Sequence, residues 1–129
     1  MKKILAVMAV GLILVTGCRS DPDPISVIEQ LGQNEATHDV EATMDLFAED
    51  AIFEVLGDQY KEKADIERNL RFAHMTPIKY EFVDIEAEGN QVTWIVRVGE
   101  GQFAREYLND AIVEGGKIVH WRVLEEITP

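Results

Sequence analysis

The chain has 129 residues, room for one domain with a single core and too few for two of ordinary size. Hydrophobic residues make up 47% and charged residues 28%, with only four prolines, which excludes a disordered or repetitive chain. There are 24 acidic and 12 basic residues, a net charge of −12, so binding to a phosphate backbone and a polybasic contact with anionic lipid both lack their usual driving force. A solvated acidic surface that keeps a protein soluble is the commoner meaning of such a balance, and attraction of a cationic ligand is the other.

The chain opens with Lys2 and Lys3, then twelve apolar residues from Ile4 to Val15, then the small pair Thr16 and Gly17. This is the layout of a secretory signal. A permanent helical anchor takes roughly 20 apolar residues, so the run is short for a bilayer span, and it lacks the interspersed polar positions of an amphipathic core helix. Val15-Thr16-Gly17-Cys18 resembles the bacterial lipobox, in which small residues lead into a cysteine that is lipidated as the signal is removed. Cys18 is the sole cysteine, which rules out an intramolecular disulfide and leaves lipid attachment as its role in an exported chain. The resemblance implies two or three acyl chains, enough for stable anchoring. Arg19 in place of an aspartate after the cysteine implies outer-membrane sorting in a diderm cell, and in a monoderm cell the anchor holds the protein on the outer face of the cell membrane. The expected organisation is therefore a signal peptide over 1–17, the lipidated Cys18 with a short linker over 18–23, and a domain over 24–129. The five linker residues after Cys18 reach at most about 17 Å, so the domain is expected to start close to the bilayer.

Asp23-Pro24 reads as an N-cap with proline at the first helical position, and Ile25, Ile28 and Leu31 recur at helical spacing as far as about Thr37. His38-Asp39 ends this helix, and Asp39 caps a second, short one with Ala42, Leu46 and Phe47 expected to face inward. Ala51 to Leu56 reads as a strand, Gly57-Asp58 as a turn and Tyr60 as the start of a return. A third helix carries Ile66, Leu70 and Ala73 as its buried stripe and a Glu67–Arg71 pair, and Thr76-Pro77 closes it. From Ile78 the period changes to two. Ile78, Tyr80 and Phe82 are followed by a Gly89-Asn90 turn, then Val92, Trp94, Val96 and Val98, a turn over Gly99 to Gly101, a strand over Phe103 to Val113, a Gly115-Gly116 hairpin and a last strand over Lys117 to Ile127. The expected class is α+β, with three N-terminal helices packed on a curved, mostly antiparallel sheet.

Asp39 to Ala51 (DVEATMDLFAEDA), Ala64 to Ile66 and Glu114 to Val119 (EGGKIV) resemble the SnoaL-like branch of the nuclear transport factor 2-like superfamily over about residues 25 to 127. Glu62 departs from the glycine that relatives often carry before the third helix. The resemblance implies a cone whose sheet and helices enclose an apolar pocket, used by some members for catalysis and by others for binding or assembly. Against the ketosteroid isomerases, the oxyanion tyrosine falls on Leu31, the general base on Val55 and the second acid near Asn109. Two aliphatic residues at these positions argue against that chemistry, which needs a base beside the substrate carbon and a donor at the enolate oxygen. The acid–arginine–acid set of the limonene epoxide hydrolases has no counterpart, since Arg97 leads into Val98-Gly99.

Alternation on the late strands places Trp94, Val96 and Val98 on one face with Tyr107, Asn109 and Ala111 and with Val119, Trp121 and Val123. Trp94, Tyr107, Asn109 and Trp121 are therefore the candidate ligand-pocket residues. Plain core packing is the commoner use of each tryptophan, and Asn109 can equally satisfy a neighbouring backbone group. His74 ends the third helix, where it can meet terminal carbonyls; turned inward, it is the candidate general base of a cyclase, dehydratase or isomerase, acting with Asn109 or Tyr107. His38 and His120 are expected to be exposed, as is Arg122, and Arg97, Arg105 and Glu106 to pair across strands on the outer face. The three histidines show no metal-ligand spacing, and no phosphate loop, nucleophile elbow or paired-cysteine motif implies a cofactor. The leading expectation is a membrane-tethered module that binds a small apolar molecule or a partner without catalysis, with a homodimer through the outer sheet face as a further expectation.

Overall fold

The computed structural model describes residues 21–128. The expected signal segment over 1–17, Cys18 and the first residues of the expected linker lie outside the described residues.

Helix α1 spans Pro24–Ala36. Asp23 caps it, its Oδ1 accepting from the Ser26 N–H at 2.8 Å, and Pro24 fills the first turn, where a missing N–H costs nothing. Val27, Ile28 and Leu31 form its buried stripe. Helix α2 (Val40–Met44) is capped by Asp39, whose Oδ1 accepts from the Ala42 N–H at 3.0 Å. Strands β1 (Phe47–Val55) and β2 (Asp58–Tyr60) follow, then helix α3 (Lys63–Ala73) and the long strands β3 (Tyr80–Glu88), β4 (Gln91–Val98), β5 (Arg105–Glu114) and β6 (Lys117–Glu126).

The strands form one sheet in the order β2-β1-β6-β5-β4-β3, antiparallel except for the parallel pair β1–β6. Register breaks in β1, β3 and at two points of the β5–β6 ladder bend this sheet. Each bulge adds local twist, and together they curl the sheet around the helices. The core between the layers joins Ile28 and Leu31 of α1 to Ile66 of α3 and to Trp94, Ile118 and Val92 of the sheet, all almost inaccessible. Gly32 allows the closest helix–sheet approach, since a Cβ there would lie 3.0 Å from the Phe82 ring.

Several sequence expectations are corrected. Among the described residues only two helices precede the sheet; α3 follows the β1–β2 hairpin, so the helices are not all N-terminal. Leu46 and Phe47 leave α2, because the Leu46 carbonyl accepts from Ile118 N–H at 2.8 Å and Phe47 already pairs with Ile118. The inward residues of α2 are instead Val40, Thr43 and Met44. Strand β3 begins at Tyr80 and not Ile78, and β5 begins at Arg105, because Gly101–Phe103 makes a 3₁₀ turn. On β6 Ile118 is buried beside Trp121 and Val119 is not, because the ladder slips between Ile112 and Val113. Ala73 is exposed at the last turn of α3.

Candidate functional site

The cone is hollow. An apolar cavity of about 220 Å³ lies between the second half of α3, the end of β1 and the concave face of β4, β5 and β6. Phe53, Val55, Val96, Val98, Trp121 and Val123 supply most of its wall, and Leu56, Asn69 and Ala73 border it from the β1–β2 turn and α3. The polar groups on the wall are Glu35, Tyr80, Tyr107 and Asn109, with Asn69.

Of the residues singled out in the sequence, Tyr107, Asn109 and Trp121 line this cavity. Asn109 is buried with both amide atoms engaged by the protein: Oδ1 accepts from Trp121 Nε1 at 2.7 Å, and Nδ2 donates to the Tyr107 carbonyl at 3.2 Å. Its first task is to hold the indole in place against Phe53, whose ring centroid is 4.5 Å away. Trp94 does not line the cavity. It lies deeper in the core, stacked on Phe82 at 5.4 Å, because its strand position is covered by α1. Val55 is on the cavity wall, whereas Leu31 is wholly buried in the core.

His74 occupies the C-cap position of α3 through its backbone, while its side chain turns inward and is only 4% exposed. It stops short of the cavity. Its Nε2 lies 2.8 Å from Oε2 of Glu35, and its Nδ1 lies 2.7 Å from Nδ1 of His38. Glu35 lines the cavity and His74, turned inward as the base role would need, reaches it only through Glu35. His38, expected to be exposed, is half-buried for the same reason.

Glu35 was missed in the sequence because a carboxylate is assumed to be wet. The signal was present: it stands four residues after Leu31 and seven after Ile28, on the buried stripe of α1. Burying a charge is costly unless it is paired, and His74 supplies the pair. Tyr80 closes the cluster, its ring 4.8 Å from that of His74 and 5.9 Å from that of His38, with its hydroxyl donating to the Ala73 carbonyl at 3.4 Å. Burial, then the nearby Glu35 charge, then Tyr107 push the Tyr80 hydroxyl above its ordinary pKa, so it stays a neutral donor at physiological pH.

The convex face is different in kind. Arg97 pairs with Glu106 at 2.8 Å, while Arg105 reaches Glu126 at 2.9 Å in place of Glu106. Arg122 forks onto the buried Asp110, which holds its guanidinium above the usual value, and His120 is half-buried 3.6 Å from Glu54. Among the described residues no group of three or more His, Cys, Asp or Glu side chains is arranged to hold a metal ion.

The family profile of the SnoaL-like domain matches residues 28–121, which contain every element that builds the cavity wall except the end of β6. The chain belongs to the SnoaL-like family. No curated protein sequence matches it. Among solved structures, an NTF-2 like protein of unknown function from Burkholderia xenovorans LB400 is 21% identical, with a TM-score of 0.65 over 77% of this chain and 80% of the other. An LEH-like epoxide hydrolase of M. tuberculosis is 17% identical, with a TM-score of 0.62 over 77% and 79%. A protein with a ketosteroid isomerase-like fold from Catenulispora acidiphila DSM 44928, solved in complex with trimethylamine, is 15% identical, with a TM-score of 0.65 over 80% and 85%. These likenesses establish the NTF2-like fold of the SnoaL-like domain.

Proposed function

We propose that the chain is an exported protein anchored to a bacterial membrane by lipid on Cys18, with a SnoaL-like domain over 24–129 that takes a small, largely apolar molecule into its cavity. The observation that carries this reading is the unfilled cavity itself. Residues that could have closed it, Val55, Val96, Val98 and Val123, are all small aliphatics, and a few polar groups share the wall with them. That is the usual composition of a small-molecule site. Occupancy by a ligand at about a hundred times its Kd stabilises a fold by about 2.7 kcal/mol. The test is to heat the purified full chain with a panel of hydrophobic small molecules: at least one should raise the melting temperature and change Trp121 fluorescence. Val55→Phe, which fills the same space, should remove both effects. A panel without effect, or an unchanged response in Val55→Phe, contradicts the reading. Replacement of Cys18 by alanine should release the protein from membranes, and continued fractionation with them would contradict lipid anchoring there.

The Glu35–His74 pair favours a second reading, in which the bound molecule undergoes proton transfer. A carboxylate on an apolar wall, oriented by a buried histidine, has the makings of a general base, and Glu35 Oε1 receives no hydrogen bond among the described residues. Neutral Tyr80, on the same cavity wall, is a candidate proton donor to the substrate. Small cyclic ketones incubated with the full chain in D2O should then gain deuterium beside the carbonyl. Glu35→Gln should slow this about 10²–10⁴-fold, the usual range for losing a positioned base. Equal incorporation in the variant would exclude Glu35 as that base.

A further inference from the structure

His38 is a residue whose backbone and side chain disagree. It follows the C-cap of α1 with φ of +58°, the left-handed position where helices usually place glycine. Its N–H bonds to the Glu35 carbonyl at 3.2 Å and the next N–H, of Asp39, to the Asn34 carbonyl at 2.8 Å, the two bonds that define this type of helix end. Glycine would make the turn with less strain, so the imidazole needs its own explanation.

Its surroundings suggest one. From the cavity outward the polar atoms run Glu35 Oε2, His74 Nε2, His74 Nδ1 and His38 Nδ1, with contacts of 2.8 and 2.7 Å. The first carboxylate is on the cavity wall, the middle ring is almost inaccessible and the last ring is half-buried, in part exposed to solvent. The other ionisable groups around the chain are Tyr80 on β3, held neutral, and Asp39, whose carboxylate is occupied as the α2 cap. Two facing Nδ1 atoms at this distance require that one donate and the other accept.

We propose that Glu35, His74 and His38 form a proton relay joining the cavity to solvent, so that the Glu35 carboxyl changes charge state even when a ligand fills the cavity and excludes water. Inward, His38 Nε2 takes a proton from water, His38 Nδ1 passes its own to His74 Nδ1, and His74 Nε2 passes its own to Glu35 Oε2. One proton enters, each ring ends neutral with its tautomer reversed, and the outward path is the same steps in reverse. The relay rests on the proton-transfer reading for its use but not for its detection.

The experiment follows the His74 ring N–H by NMR on the full chain in detergent micelles, measuring its exchange with water. In the native chain the relay keeps exchange fast although the ring is buried. In His38→Phe, which keeps a ring over His74 but carries no exchangeable proton, exchange must await local opening and should slow by about tenfold or more. His38→Leu, apolar and bulky like Leu56, which the chain already holds at φ +50°, should behave alike. Exchange at the native rate in either variant, with the fold retained, overturns the relay. Slowed exchange together with no deuterium in the ketone probes leaves the relay standing and removes the proton-transfer reading.

Discussion

At Glu35 the protein accepts a local cost, because a carboxylate placed on the core stripe of α1 loses most of its water and, among the described residues, regains one histidine partner. Removing the partner alone should therefore be severe. His74→Ala leaves a buried carboxylate unpaired and is expected to cost about 3–5 kcal/mol in denaturant titration, whereas the double change Glu35→Leu with His74→Leu should cost much less or nothing. A double variant as damaged as the single one would mean that the pair stabilises the fold in its own right. Tyr80 gives a second residue-scale prediction through its pH dependence. Its hydroxyl is raised in the folded chain, so its contribution is complete below the unfolded value of about 10 and is lost as pH rises through the higher folded value. Unfolding midpoints measured between neutral and alkaline pH should fall more steeply for the native chain than for Tyr80→Phe. Parallel curves would show that burial of this hydroxyl is not coupled to folding.

At the scale of elements, the tight contacts decide what a substitution costs. A methyl at position 32 would stand 3.0 Å from the Phe82 ring, which is itself stacked on Trp94, so the ring cannot retreat freely. Gly32→Ala gains helix propensity of about 1 kcal/mol but overpacks the α1–β3 contact by about 1–3 kcal/mol, and a net loss of stability is expected in denaturant titration. A gain would mean that α1 can shift outward. The same scale explains which parts of the fold were legible in the sequence. The caps at Asp23 and Asp39, the period-three stripe of α1 and the hairpin at Gly115-Gly116 are local signals, and local chemistry decides them. The start of β1 at Phe47 and the inward turn of Ile118 were not legible, because each depends on the other: they meet across a parallel pairing separated by most of the chain. Of the cavity, Tyr107, Asn109 and Trp121 could be read from strand alternation. Glu35 carried only its spacing on the α1 stripe and His38 no signal at all, since each runs against the expectation for its residue type and finds its partner in His74, which arrives from another helix.

At the scale of the whole molecule, the start of the described chain and the cavity lie toward opposite ends of the sheet. Pro22 packs on the β5–β6 hairpin, its Cδ 2.9 Å from where a Cβ on Gly116 would stand. The cavity lies toward the other end, bordered by Leu56 of the β1–β2 turn, by Val98 at the end of β4 and by Tyr107 near the start of β5. The ten residues of β5 between these ends span about 33 Å. If Cys18 carries the lipid, its short linker fixes the hairpin end near the bilayer, and the cavity end of the sheet then faces the aqueous side. The net charge of −12 works in the same direction, since an acidic body is repelled by anionic headgroups and has little reason to lie down on them. Ligand would then enter from the compartment and not directly from the supporting leaflet. With Cys18 acylated, an introduced cysteine is the only thiol available for a spin label. On the full lipidated chain in vesicles, a label at Glu114→Cys should be relaxed by a bilayer-confined agent, and one at Phe103→Cys, on the loop at the far end, by a water-soluble agent. The reverse pattern would place the cavity end against the membrane and redirect the search for a ligand toward lipids of that leaflet.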